Sequence, residues 1–209
     1  YRSGHVIFAA PQMLTKYVIS REQTAERDVS QFQYGAWLVA NVHLRDRPQE
    51  NGFPMAWDNV LLDSKSLGYV TATHQLGSDH GPTVLTWYYP FADDDPKMTR
   101  KQMLSLAWED WADLVLTDLR IAHPDIDDYV ERVDVMCWGH AMIQPRPGFI
   151  FDSNRVAAAE NQGSIHFAGT DLSGIALFEE AFFHGVRAAE EVMDAKGHAY
   201  RPLAPSPRT

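Results

Sequence analysis

The sequence predicts an α+β fold: a mixed β-sheet backed by helices over residues 33–145, and a separate strand–turn–helix near the C-terminus. Three observations carry it. Residues 35–44 alternate, with Ala36, Leu38, Ala40, Val42 and Leu44 on one face and Trp37, Val39, Asn41 and His43 on the other, the period of a strand with one dry side. Residues 99–119 hold apolar side chains at helical spacing. Residues 164–195 read as a short buried strand, a glycine-bearing turn and an amphipathic helix.

Taken in order, residues 4–10 are an apolar run stopped by Pro11, which brings no amide for further pairing, so a strand ends at Ala10. A polar stretch, 20–33, leads into the strand at 35–44. Further strands are predicted at 57–62, 67–76, 83–91 and 133–143, with Gly77, Ser78 and Asp79 turning the chain between the second and third. Thr99 followed by Gln102 fits a capping box. Leu104, Ala107, Trp108, Trp111, Leu114, Val115 and Leu119 then form one helical stripe. Asp94, Asp95 and Pro96 ahead of it read as a loop and not as a metal site. A short second helix is expected around 124–129. The last helix carries Phe178, Ala181, Phe182, Val186, Ala189 and Val192 on one face and stops at Lys196-Gly197. The tail, 198–209, contains three prolines and is expected to be extended.

Composition narrows the partners. At 209 residues, 45% hydrophobic and 22% charged, the chain can build one large domain or two small ones. A formal net charge of −10 gives no counterion-release energy on phosphates, so nucleic acid is not an expected partner. No apolar run approaches the ~20 residues that cross a bilayer. The lone Cys137 excludes an internal disulfide and a cysteine-based zinc site, and its apolar neighbours point to a buried, inert thiol. His43, His74, His80, His166 and His184 lack metal-ligand spacing and read as structural or surface groups. A homo-oligomer stays compatible with the composition, and the compartment is not set by it. The chain opens on Tyr1 and runs at once into a strand, so its true N-terminus is expected upstream.

The turn at 169–174 is the best place for chemistry. Small residues there let a backbone approach a ligand, and a helix that starts beside them offers unpaired N–H groups and the positive end of its dipole. A phosphate, or a ring that gathers negative charge, suits such an end; Asp171 suits sugar-like hydroxyls. Spacing alone leaves open a strand–turn–helix that binds nothing.

The residues themselves narrow this. Ile165-His166-Phe167-Ala168-Gly169-Thr170-Asp171, followed by Gly185-x-Arg187-Ala188-Ala189, resembles the C-terminal flavin motif of the flavin-containing amine oxidase family. Val6-Ile7-Phe8-Ala9-Ala10-Pro11 is similar to the strand by which such chains re-enter their flavin domain. The likeness covers nearly the whole chain, with the middle diverging most.

The resemblance implies an FAD-dependent oxidoreductase that moves a hydride from a small-molecule substrate, an amine or another, to flavin N5. It divides the chain into a return strand and connection (1–32), a substrate-binding domain (33–145), a C-terminal FAD-binding segment (146–197) of an incomplete Rossmann-like domain, and the tail (198–209). By position, Gly169, Thr170 and Asp171 would follow the ribityl and pyrophosphate region, and the backbone of Ala176, Leu177 and Phe178 would face the pyrimidine edge. No Gly-x-Gly-x-x-Gly follows any strand, and that motif holds a dinucleotide's pyrophosphate. The N-terminal FAD-binding half is therefore expected to be a missing partner, and the chain alone to bind no FAD and to be inactive.

On the substrate side, Trp138 and His140 are the catalytic candidates. Trp138 matches one wall of the family's aromatic amine cage, and His140 has the right ionisation for acid–base work; a histidine merely bonded within a sheet is the plainer reading. The family's lysine near flavin N5 falls close to Val39, on a strand without lysine, and the second cage ring falls on Leu177. The incomplete cage weakens the case for a simple amine and leaves oxidation or desaturation of another small molecule open. The rival reading is a stand-alone, non-catalytic binding or dimerisation module that kept the sheet.

Overall fold

The computed structural model describes residues 2–24, 27–50, 52, 54–92 and 95–203. Asp94, read above as part of a loop, and residues 204–209 of the tail lie outside them. In chain order the elements are β1 (Val6–Phe8), α1 (Thr15–Val18), α2 (Arg21–Thr24), β2 (Tyr34–Leu44), β3 (Asp58–Asn59), β4 (Tyr69–Thr71), β5 (Thr83–Pro90), α3 (Pro96–Ser105), α4 (Trp108–Ala122), β6 (Val130–Ile143), α5 (Ser153–Ala157), β7 (Ile165–Phe167) and α6 (Phe178–Ala195). They form two compact units: Gly35–Ala141, and Tyr1–Tyr34 together with Met142–Thr209. The fold is α+β, and its two strand directions are divided between two sheets.

The first unit is built on a five-stranded sheet in the order β3-β4-β5-β2-β6. β2 pairs antiparallel with β5, and β5 with β4. The even positions of β2, from Ala36 to Leu44, are all at least 98% buried, so strict alternation in sequence becomes one dry face. Leu85 and Trp87 extend that face on β5, and Val115 and Leu119 of α4 close over it. Truncating any one of these leucines to alanine costs about 2–5 kcal/mol. Trp87 keeps its indole N–H satisfied by donating to Asp118 Oδ2 on α4 at 2.6 Å, as a buried Trp requires.

The single helix expected over 99–119 is two helices. Asp95 is its real start: the Asp95 carboxylate accepts from the amides of Lys97 and Met98, and Pro96 takes the first helical position, where no amide is needed. Thr99 lies inside α3, its hydroxyl turned back to the Asp95 carbonyl at 3.2 Å. The chain breaks at Leu106 (φ −90°, ψ 144°), and Asp110 accepts the Ala107 amide at 2.9 Å to open α4. The break rotates the stripe: Trp111, Val115 and Leu119 are buried, whereas Leu104 is 90% and Trp108 52% exposed.

In the second unit β1 and β7 form a two-stranded parallel sheet, Val6 opposite Ile165 and Phe8 opposite Phe167. Phe8, Phe32, Tyr34, Ile143, Phe149 and Phe167 make its core. α6 spans the expected residues but buries a different face. His184 and Ala188 are its buried positions, while Phe178 is 79% and Phe182 61% exposed. These two rings stack on each other, centroids 6.4 Å apart, and Val6 and Ile7 of β1 are also about half exposed. Among the described residues no helix is long and apolar enough to cross a membrane.

Candidate functional site

In the unit formed by the chain's two ends, β7 delivers the backbone straight into a turn. Gly169 sits at φ 117°, a region that favours glycine, and a Cβ there would meet nothing closer than the Ala9 carbonyl at 4.0 Å. Thr170 and Asp171 follow in a 3-10 turn, Thr170–Leu172. Gly174, at φ 73°, passes the Phe149 ring so closely that a Cβ would lie 3.1 Å from it. The sequence therefore needs both glycines, the first for backbone shape and the second also for space.

Asp171 is buried, and its carboxylate is turned inward. Oδ2 accepts from the Gln12 amide at 2.8 Å and from the Tyr34 hydroxyl. Burial first, then the carboxylate of Asp171, pushes the Tyr34 phenol above its ordinary range, so it stays a donor. Asp171 thus ties the turn to the start of β2 and to the segment after β1, with Oδ1 outside both bonds.

Helix α6 begins at Phe178 behind Leu177, which supplies no side-chain cap. The Leu177 amide donates to the Ile175 carbonyl at 3.0 Å, and the first helical bond runs from Ala181 to Leu177. The amides of Phe178, Glu179 and Glu180 therefore lie ahead of the ladder. Glu179 and Glu180 complement the positive end of the dipole. Of the expected backbone trio, Ala176 is half-buried and packed on the core, while Leu177 and Phe178 are exposed. The cofactor-side candidates Gly169, Thr170, Asp171, Ala176, Leu177 and Phe178 thus fall on one continuous turn and helix start.

Behind that turn lies a polar chain for which the residue pattern gave one unread signal. His184, Arg187 and Glu191 recur at helical spacing on one side of α6. Arg187 donates to the Phe167 carbonyl at 2.6 Å, to Glu191, and to His184 Nδ1 at 3.3 Å. Ser173 Oγ lies 2.9 Å from His184 Nε2 and donates to Glu180. His166, wholly buried, joins Glu191 to His5.

The other unit presents an open sheet face. Trp37 and Val39 of β2 lie across from β5, where Val39 opposes Tyr88, and the Trp37 and Tyr88 rings stack at 6.3 Å. His43 Nε2 pairs with Asp134 Oδ2 at 2.9 Å, so even-numbered positions of β6 share this face with odd-numbered positions of β2. Trp138 and His140 have the parity of Asp134 and lie on it with Trp37 and Val39. Gly139 faces the opposite way, where a Cβ would meet Arg100 of α3 at 3.2 Å. Trp138 is 54% exposed. Burial, then the Arg100 charge, lowers the His140 pKa below the usual imidazole value, which keeps the ring neutral at pH 7 and able to accept a proton. The run Trp87-Tyr88-Tyr89 is split by the pleat: Trp87 is core, Tyr88 is on the open face. Cys137 is exposed and not buried.

The profile of the flavin-containing amine oxidoreductase family matches residues 2–193 of the 209-residue chain. The chain belongs to that family, and the family's members are flavin-containing oxidoreductases. No curated protein matches it significantly.

Proposed function

We propose that this chain is the substrate-binding domain and the C-terminal flavin segment of an FAD-dependent oxidoreductase that takes a hydride from a small molecule. The observation that carries the reading is the turn from Gly169 into α6. Its backbone has room for a close ligand, and three amides at the helix start lie ahead of the hydrogen-bond ladder. That arrangement fits the flavin: Gly169, Thr170 and Asp171 would follow its ribityl and phosphate portion, and the backbone at Ala176, Leu177 and Phe178 would meet its pyrimidine edge. When bound, the flavin supplies the hydride acceptor at N5.

The chain's own residues supply the rest. The positive end of α6 favours negative charge beside it, with the Phe178 amide as the leading donor. Trp138 and Trp37 offer flat apolar walls, and neutral His140 offers a base. With Leu177 in place of a second ring, the case for a simple amine is weaker, and the substrate is a small molecule, an amine or another. The parallel two-stranded sheet supports an incomplete flavin domain, because parallel sheets are covered on both faces whereas Val6 and Ile7 of β1 are half exposed. The missing cover and the pyrophosphate-binding glycines would come from an N-terminal FAD-binding half.

The test is expression of the chain alone and joined to the segment encoded upstream of Tyr1. The chain alone is expected to purify colourless, and the joined protein yellow with one FAD per chain. A yellow chain alone would overturn the incomplete-site reading. A joined protein that folds without flavin, or an upstream segment without Gly-x-Gly-x-x-Gly, would favour the rival non-catalytic module.

A further inference from the structure

The Gly35–Ala141 unit holds a cavity on the side of the sheet opposite Trp37 and Trp138. Tyr69 of β4 opposes Trp87 of β5, which opposes Ala40 of β2, and all three belong to the buried face. Beside Tyr69 is a cavity of about 420 Å³ lined by Glu50, Met55, Asn59, Ile121 and His123 among others. That volume is ordinary for a small-molecule site, which spans ~300–1,000 Å³.

Its polar groups are oriented by a fixed pair. Tyr69 and His123 are 3% and 4% exposed, and the Tyr69 hydroxyl lies 2.6 Å from His123 Nε2. His123 Nδ1 faces the Gln49 carbonyl at 3.3 Å. A carbonyl only accepts, so Nδ1 carries the proton and Nε2 is the acceptor. The Tyr69 O–H therefore donates to His123, and its oxygen keeps acceptor capacity alone. Burial and the nearby Glu50 carboxylate push the phenol up to about 12, and burial lowers His123, so both stay neutral at pH 7.

Two further features of the wall favour positive charge, against the Arg47 guanidinium, which donates to the Met55 sulfur at 3.9 Å. Glu50 contributes a carboxylate, and its Oε1 already holds the Met55 amide at 3.0 Å. Helix α4 ends at Ala122, so Ile121 and Ala122 bring the negative end of its dipole and carbonyls beyond the last helical amide. Among the described residues no lysine or arginine lines the cavity. Met55 and Ile121 supply an apolar wall.

We propose that this cavity binds a small alkylammonium ion, its ammonium held by the Glu50 carboxylate and the Tyr69 oxygen and its carbon chain against Met55 and Ile121. The site is separate from the open face of the sheet and does not depend on the flavin reading. Titration of the chain with butylammonium chloride at constant ionic strength tests it, read by the ring resonances of ¹⁵N-labelled His123. Saturable shifts are expected, with butan-1-ol, the neutral analogue, binding at least ~10-fold more weakly. Glu50→Gln, a change on a polar wall that leaves volume intact, is expected to weaken butylammonium about 10-fold. Tyr69→Phe is expected to weaken it as well. Unmoved His123 signals, equal binding of butan-1-ol, or unchanged affinity in the folded Glu50→Gln protein would each overturn the proposal.

Discussion

Arg187 donates through Nε to Nδ1 of His184 at 3.3 Å, and this bond fixes which nitrogen of His184 carries its proton. A guanidinium never accepts, so Nδ1 is the acceptor and Nε2–H is left to donate to Ser173 Oγ. Ser173 in turn donates to the Glu180 carboxylate in the first turn of α6. The bonds run one way, from Arg187 to the helix start, and tie the buried end of β7 to the turn that precedes α6.

Burial, then the Arg187 charge, depresses His184 to about 4. The group is neutral when folded and has its ordinary value near 6.5 when unfolded, so the unfolded state binds the extra proton between these limits. Its stabilising contribution is full above pH ~6.5 and is lost as pH falls towards ~4. Urea unfolding at a series of pH values is expected to show this loss in the wild type and a shallower one in His184→Gln. Parallel pH curves for the two would mean that His184 is not the group responsible.

Asp171 gives a sharper stability test. Its Oδ2 satisfies two buried donors, the Gln12 amide and the Tyr34 hydroxyl. Asp171→Asn weakens both bonds and brings an extra N–H, at an expected cost of about 2–3 kcal/mol. Tyr34→Phe should cost about 1–2 kcal/mol, and the double variant less than the sum, since both changes act on one shared bond. Strict additivity in denaturant titrations would contradict the contact.

Much of this was legible in the residues where one physical signal dominated. β2 alternates because one face is dry, and the β7 turn is marked by glycines at positions that need positive φ or close approach. The α3–α4 break was not legible, because apolar spacing continues across it and the deciding groups, Asp95 and Asp110, act through side-chain bonds to backbone amides. The face of α6 was misjudged for a different reason. Its buried side is polar, built from His184, Arg187 and Glu191, so hydrophobicity pointed to the wrong stripe. Cys137 shows the same limit: apolar neighbours describe a strand, and only the sheet's cover decides exposure. Trp138 and His140 stand out by residue type and position, whereas the stacking of Trp37 on Tyr88 follows from the β2–β5 register.

Two glycines with similar backbone angles should respond differently to the same change. At Gly68 (φ 89°) a Cβ would lie 1.9 Å from the Asn59 carbonyl oxygen, whereas at Gly77 (φ 66°) it would meet nothing within 4 Å. Gly77→Ala carries only the conformational strain of a left-handed residue, about 1–2 kcal/mol. Gly68→Ala adds a backbone clash that the β3–β4 pair can relieve only by separating, so a loss above ~3 kcal/mol is expected. Melting temperatures of the two variants measure the difference, and equal shifts would show that β3 does not pack against Gly68 as described.

Leu177 offers a test that separates helix stability from flavin chemistry. It occupies the N-cap of α6 without a capping bond and is 51% exposed. Leu177→Asp can accept from the free amides of the first turn, so the chain itself should become more stable, by about 1 kcal/mol. In the flavin-loaded protein the same carboxylate would stand where α6 is proposed to favour negative charge on the reduced ring. A penalty of about 1.4 kcal/mol on the reduced form lowers a two-electron potential by about 30 mV. The expected result is thus a higher melting temperature for the chain and a lower flavin potential for the loaded protein. A more stable chain with an unchanged potential would mean that the α6 start lies away from the ring, and the assignment of Ala176, Leu177 and Phe178 to the cofactor would fall while the helix cap stood.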